Sequence, residues 1–188
     1  MLTALLHYVS VENITDLFAS HQDPDIISSL GLWDSGKDSY VTLVLRNISF
    51  APIADEGDTL DLGDAQLQFI PAHYLHSSGN FHVYDTEAKI LMSGDVGAAL
   101  EAEGAPMFVK DFDEQIDKMK IFHQRWIPSN RAKQDWINRV RQLDIEVMAP
   151  QHGRLFKGHD VKRFLDWLED LGVGLPSLSK IARSTPFK

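Results

Sequence analysis

Cysteine is absent from the 188 residues of this chain. Disulfides, thiolate zinc sites and iron–sulfur clusters are thereby excluded, and any metal must be held by histidine and carboxylate side chains. Positive charge is also scarce: 18 Lys+Arg stand against 27 Asp+Glu, a net charge of -9. With no basic stripe, neither nucleic acid nor an anionic membrane surface is expected as a partner, which leaves small molecules and proteins. No stretch approaches the roughly 18 apolar residues that a membrane-spanning helix needs. Residues 1–6 are apolar but short, without a basic leader or a small-residue cleavage pattern, so a cytoplasmic location is expected. Internal repeats, low-complexity tracts and linkers are missing too.

What is present is ordinary for a globular protein, with 44% hydrophobic and 24% charged residues. The length suits one domain, expected over 1–174 and followed by a C-terminal tail over 175–188. Residues 2–8 read as a short helix, 14–19 as a strand, and a helix is expected from Asp25. The apolar run 41–45 has the composition of a buried strand. Residues 60–63 and 66–70 form a hairpin with Gly63 and Asp64 at its tip, and 81–84 and 90–92 are two further strands. Phe112, Ile116, Met119, Phe122 and Trp126 recur at helical spacing and read as a core stripe. Ser129 is placed to cap a second helix, whose buried face is Trp136, Ile137, Val140 and Leu143. A strand at 146–149 and a helix at 161–171, with Phe164, Leu165, Leu168 and Leu171 inward and Gly172 beyond its end, complete the series. Strands come first and then alternate with helices, which predicts an α/β sandwich with its chemistry along one edge.

The chemistry concentrates at strand ends. In Ser20-His21-Gln22-Asp23-Pro24-Asp25, an extended backbone would point His21, Asp23 and Asp25 the same way. Their nitrogen and oxygen donors suit Zn, Fe or Mn. Alone, the triplet is more simply a solvated turn with an Asp helix cap. Three other strand ends carry His76 with His73 nearby, Asp95, and His152, each beside Gly or Pro that lets the backbone turn sharply. One metal needs three or four such groups, whereas six or seven suit two metals sharing a bridge. Asp95 is the natural bridge, because one carboxylate can offer an oxygen to each of two cations about 3.5 Å apart. His7, His82, His123 and His159 lie outside these loops and read as structural or surface residues, with His123 the exception that stands out, because it sits with Arg125 and Trp126 ahead of Pro128.

The succession His-x-Asp-x-Asp, Leu75-His76-Ser77-Ser78-Gly79, Ser93-Gly94-Asp95 and Pro150-Gln151-His152-Gly153 resembles the metallo-β-lactamase superfamily. More narrowly, it resembles the branch of flavodiiron-like, oxygen-binding diiron proteins, known as ODP. There the first motif carries an acidic residue where the superfamily's zinc hydrolases have a second histidine, and Asp23 sits at that place. The resemblance implies a metallo-β-lactamase-like αββα sandwich and two Fe ions, with Zn or Mn as alternatives. It implies His21, Asp23 and His76 on one ion, Asp25 and His152 on the other, and Asp95 between them. Ile26 stands where the superfamily places a further histidine, so the second metal has an open position unless His73 or solvent fills it. The function implied is a non-haem diiron O2-binding protein, either a sensor or carrier, or a reductase with an external electron donor. The alternative is a binuclear metal-dependent hydrolase. Only 20 residues precede His21, fewer than in relatives, so part of the N-terminal sheet is expected to be lacking. A homodimer is expected to cover the edge thus exposed.

Overall fold

The computed structural model describes Tyr8, residues 18–21, Asp23 and residues 51–174. The chain divides into two compact units, Met1–Ile53 and Ala54–Lys188. Most of the helix expected at 2–8, the helix expected from Asp25, the strand at 41–45, most of the strand at 14–19, the tail, and Asp25 and Ile26 themselves lie outside the described residues. Phe18 and Ala19 are described and are irregular.

In the second unit six strands form one sheet, ordered as in the sequence: β1 (Asp58–Asp61), β2 (Gln66–Pro71), β3 (Phe81–Asp85), β4 (Ile90–Met92), β5 (Val147–Ala149) and β6 (Phe156–Lys157). Every neighbouring pair is antiparallel except β4 and β5. That parallel pair needs a long crossover. It is supplied by α1 (Phe112–Trp126) and α2 (Asn130–Val140), while α3 (His159–Asp170) follows β6.

The hairpin starts two residues before its expected position. Asp61 ends β1 because its carboxylate accepts from the Gly63 N–H at 2.8 Å, turning the chain, and Leu62 N–H closes the loop on the Ala65 carbonyl. Side-chain oxygens also start two helices. Asp111 accepts from the N–H groups of Asp113 and Glu114 to cap α1, and Ser129 accepts from Ala132 N–H to cap α2, as expected.

The core collects Leu91, Met119, Trp136, Ile137, Met148, Phe156, Phe164 and Leu168, all fully buried. The buried faces of α2 and α3 follow the expected spacing, although Leu143 is only partly buried. Helix α1 departs from it: its buried face is Phe112, Gln115, Met119 and His123, and Trp126 is 53% exposed. The chain also buries a lysine. Lys133 Nζ donates to the carbonyls of Glu169 and Leu171, so the last carbonyls of α3 receive a cation where the helix dipole is negative.

Candidate metal centre

Strand direction places the ligand loops. Strands β2, β4 and β5 all run the same way, because β3 is antiparallel to both β2 and β4, and β5 is parallel to β4. Their carboxyl ends therefore open on one edge of the sheet, where α/β proteins bind ligands. Register sharpens this. Met92 pairs with Ala149, Asp95 is three residues beyond the first and His152 three beyond the second. The loop after β2, which carries His73 and His76, leaves the same edge.

Asp95 is nearly buried between two histidines. One carboxylate oxygen, Oδ2, lies 2.8 Å from His76 Nε2; the other, Oδ1, lies 3.7 Å from His152 Nε2. Each oxygen thus faces a different imidazole, the arrangement a bridging carboxylate requires. The shorter contact is within hydrogen-bonding distance.

The loops are knitted by backbone bonds. Ser93 N–H donates to Ala149 O and Gln151 N–H to Gly94 O, tying the Asp95 loop to the His152 loop. Ala99 N–H donates to His152 O. At Gly153, with φ +103°, an added Cβ would stand 3.0 Å from the Ala99 nitrogen, so this close approach requires glycine. Glu101 then clamps the assembly, meeting Arg154 at 3.0 Å and Lys118 of α1 at 2.9 Å. Burial pushes the Glu101 carboxyl up, but these cations and Gln115 outweigh it and hold it below its ordinary range.

His76 is framed by aromatic rings of α1, Phe122 at 5.9 Å and Trp126 at 5.5 Å between centroids. These two residues were expected in the core stripe; they are turned instead toward a candidate ligand. Asn80 braces the same loop from within. Its side-chain amide donates to Leu75 O, and its backbone carbonyl accepts from Ala72 N–H. His73 is turned to Asp55, with Nε2 3.2 Å from the Asp55 carbonyl, and its ring packs edge-on against Phe81 at 5.0 Å. Tyr74 takes φ +64°, uncommon for a residue with a side chain, and is half exposed.

In the first unit, Ser20 Oγ lies 2.8 Å from His21 Nδ1, and His21 Nε2 lies 3.8 Å from Asp23 Oδ2. A hydroxyl on Nδ1 fixes the ring and leaves Nε2 on the side of Asp23. Asp25 lies outside the described residues.

His123 is the histidine that stands out from the structural group by its place with Arg125 and Trp126 ahead of Pro128. It is wholly buried; its Nδ1–H donates to Met119 O at 2.8 Å and its Nε2 accepts from Gly97 N–H at 2.9 Å. Both ring nitrogens are satisfied only in the neutral form. Burial pushes this imidazole down from 6.5 to about 4; the Met119 carbonyl and the Asp95 carboxylate act upward, and His76 acts downward. Below pH 6.5 the unfolded chain gains a proton that the folded chain refuses until about 4. Stability is therefore lost as pH falls through that window, by about 3 kcal/mol in all. Urea unfolding between about pH 7 and about pH 4.5 should show this loss in the parent and a shallower one in His123→Gln; parallel pH profiles would contradict the assignment.

The donors fit a metal centre: nitrogen and oxygen ligands, a carboxylate facing two imidazoles, and loops held by an outer layer of hydrogen bonds. Comparison with known proteins agrees. The model of the ODP family beta lactamase matches residues 1–153. The chain belongs to this family. Two solved structures of a chemotaxis sensor ODP are similar along nearly the whole chain. The one described as its peroxy diiron species is 35% identical, with TM-score 0.83, covering 96% of this chain and 81% of that one. The apo state from T. denticola is 33% identical, with TM-score 0.82, covering 96% and 79%. A flavodiiron protein from Giardia intestinalis, 18% identical with TM-score 0.76 over 89% of this chain and 44% of that one, shares the fold. An uncharacterized protein of Methanocaldococcus jannaschii is 30% identical over 124 residues, 61% of this chain and only 30% of its own length. The ODP chain thus has the expected metallo-β-lactamase-like α/β fold. Among its described residues, no helix is long and apolar enough to cross a membrane.

Proposed function

We propose that this chain is a non-haem diiron protein that binds O2, serving as an oxygen sensor or carrier, or as a reductase when an external donor supplies electrons. The observation that carries this is Asp95, whose two carboxylate oxygens face two different histidines. Family membership supports it, as do the two similar chemotaxis sensor structures, one of them described as a diiron species. His21, Asp23 and His76 would hold one iron, Asp25 and His152 the other, and Asp95 would join them, with His73 as a further ligand or an outer partner. When bound, the iron pair supplies the Fe(II)/Fe(III) chemistry on which O2 binding depends.

The chain's own residues do the rest. The carboxylates of Asp23, Asp25 and Asp95 offset the charge of the ions and favour the ferric state over zinc-type chemistry. Phe122 and Trp126 hold the His76 ring in place. The Glu101–Arg154 pair fixes the loop that presents His152. Ile26 offers no ligand atom, so the second iron would have one protein donor fewer, the position at which O2 would bind. This reading includes the cytoplasm as location and a homodimer covering the sheet edge, and it excludes nucleic acid, in keeping with the net charge of -9.

The test is optical. Iron-loaded protein, reduced without air and then exposed to O2, should develop a visible absorption band within the mixing time of the experiment. No spectral change, together with turnover on a panel of phosphodiesters, would replace this reading by a binuclear hydrolase.

A further inference from the structure

Helix α1 touches the surroundings of His76, Asp95 and His152, three of the candidate ligands in the second unit. Phe122 and Trp126 meet the His76 ring, Lys118 meets Glu101 and through it Arg154 beside His152, and His123 reaches the loop of Asp95. The last of these is the least expected, because it uses a wholly buried imidazole where a leucine would fill space at lower desolvation cost.

We propose that His123 is a positioning residue for the metal-bridging carboxylate: by accepting from Gly97 N–H and donating to Met119 O, it fixes the turn from which Asp95 projects. The proposal rests on the diiron reading of Asp95.

Gly97 is two residues beyond Asp95, and the segment between is a tight turn. Val96 N–H donates to Ser93 O, Ser93 Oγ–H donates to Val96 O, and Ala98 N–H donates to Asp95 O. The Gly97 N–H is the turn's link to the helix layer. On its other side Gly97 is pressed against the end of β5: at φ +101°, an added Cβ would stand 3.0 Å from Met148 Cε and 3.2 Å from Pro150 Cβ. Pro150 leads directly to His152. The turn is therefore gripped between His123 on one side and the strand end that delivers His152 on the other. His123 is itself held by Phe164 at 6.1 Å and Trp167 at 5.5 Å between ring centroids, so it cannot drift with the turn. A carboxylate that must offer one oxygen to each of two cations tolerates little rotation, which gives this fixing bond an effect on the pair rather than on either ion alone.

Two amide substitutions separate positioning from packing. In His123→Gln the side-chain oxygen reaches about as far as Nε2 and can still accept from Gly97 N–H, whereas in His123→Asn it reaches only as far as Nδ1. His123→Leu removes both bonds. Each protein is loaded with ferrous iron, the folded fraction is checked by circular dichroism, and two quantities are read: iron affinity, and, after removal of one electron per iron pair with a stoichiometric one-electron oxidant such as ferricyanide, the mixed-valent EPR signal that coupling through the bridge produces. The Asn and Leu variants should lose affinity by roughly 10–100-fold and most of the coupled signal per folded molecule, while Gln stays within about threefold of the parent. If folded Asn or Leu protein keeps the parent's affinity and signal, the role is overturned. It is also overturned if Gln loses as much as Asn. Should Leu fail to fold, the Gln–Asn comparison still decides. A parent chain without a coupled signal would overturn the diiron reading itself and this proposal with it, whereas normal behaviour in parent and variants alike would remove only the role of His123.

Discussion

Asp95→Asn should leave the chain folded and reduce its iron from two ions per chain to one at most. The substitution keeps the shape of the side chain but replaces one of two equivalent anionic oxygens by an amide that cannot ligate. In the parent those oxygens face His76 at 2.8 Å and His152 at 3.7 Å, so a single atom change disables one of two directions. Loss of an outer hydrogen-bond partner typically costs 10–100-fold in metal affinity, and loss of a bridging ligand atom should exceed that, at more than about 100-fold for the second ion. Folding does not depend on the carboxylate in the same way. The turn around it is held by main-chain bonds from Val96 and Ala98 and by Ser93 Oγ. Metal analysis and thermal melting of the metal-free form check both halves: a large loss of iron with little change in melting. Retention of two ions would remove Asp95 from the bridge.

Phe164→Ala should be among the most damaging single core changes. The ring is fully buried and sits among Phe156 at 5.0 Å, Trp167 at 5.6 Å and His123 at 6.1 Å. Removing it costs about 3–5 kcal/mol, from lost burial and the cavity left behind. In a chain of this size that corresponds to a fall in melting temperature of about 10 °C. Because His123 loses one of its walls, iron affinity should fall as well, though less than in Asp95→Asn. Calorimetry on the metal-free protein checks the first expectation; a shift below about 1 kcal/mol would mean that the site collapses freely around the gap.

The elements of the second unit were legible in sequence because their periodicities are strong. The strands around Val83 and Leu91, the Ser129 cap and the faces of α2 and α3 follow from apolar spacing and one hydroxyl. Helix α1 shows where that reading stops. Hydropathy selects Phe122 and Trp126 as core, yet these rings pack on the imidazole of His76, and an aromatic ring against a ligand looks in sequence like an aromatic ring against leucine. Gln115 and His123 complete the same buried face as Phe112 and Met119, and hydropathy is blind to a polar side chain buried because its bonds are satisfied. Strand β6, of two residues, is too short for any period to register. The candidate ligands were visible as His, Asp and Gly at strand ends. That Asp95 and His152 stand at equal distances beyond paired residues is a matter of register, which a single sequence does not carry. His73 shows the same limit. Its position in the loop suggests a ligand, and only the folded structure brings the Asp55 carbonyl beside its Nε2.

The central claim is that this chain holds a pair of iron ions, and elemental analysis of protein purified from iron-replete cells without added metal or chelator tests it most directly. The account predicts two iron atoms per folded chain. Zinc in their place, or a folded and monodisperse protein with no metal, would contradict it.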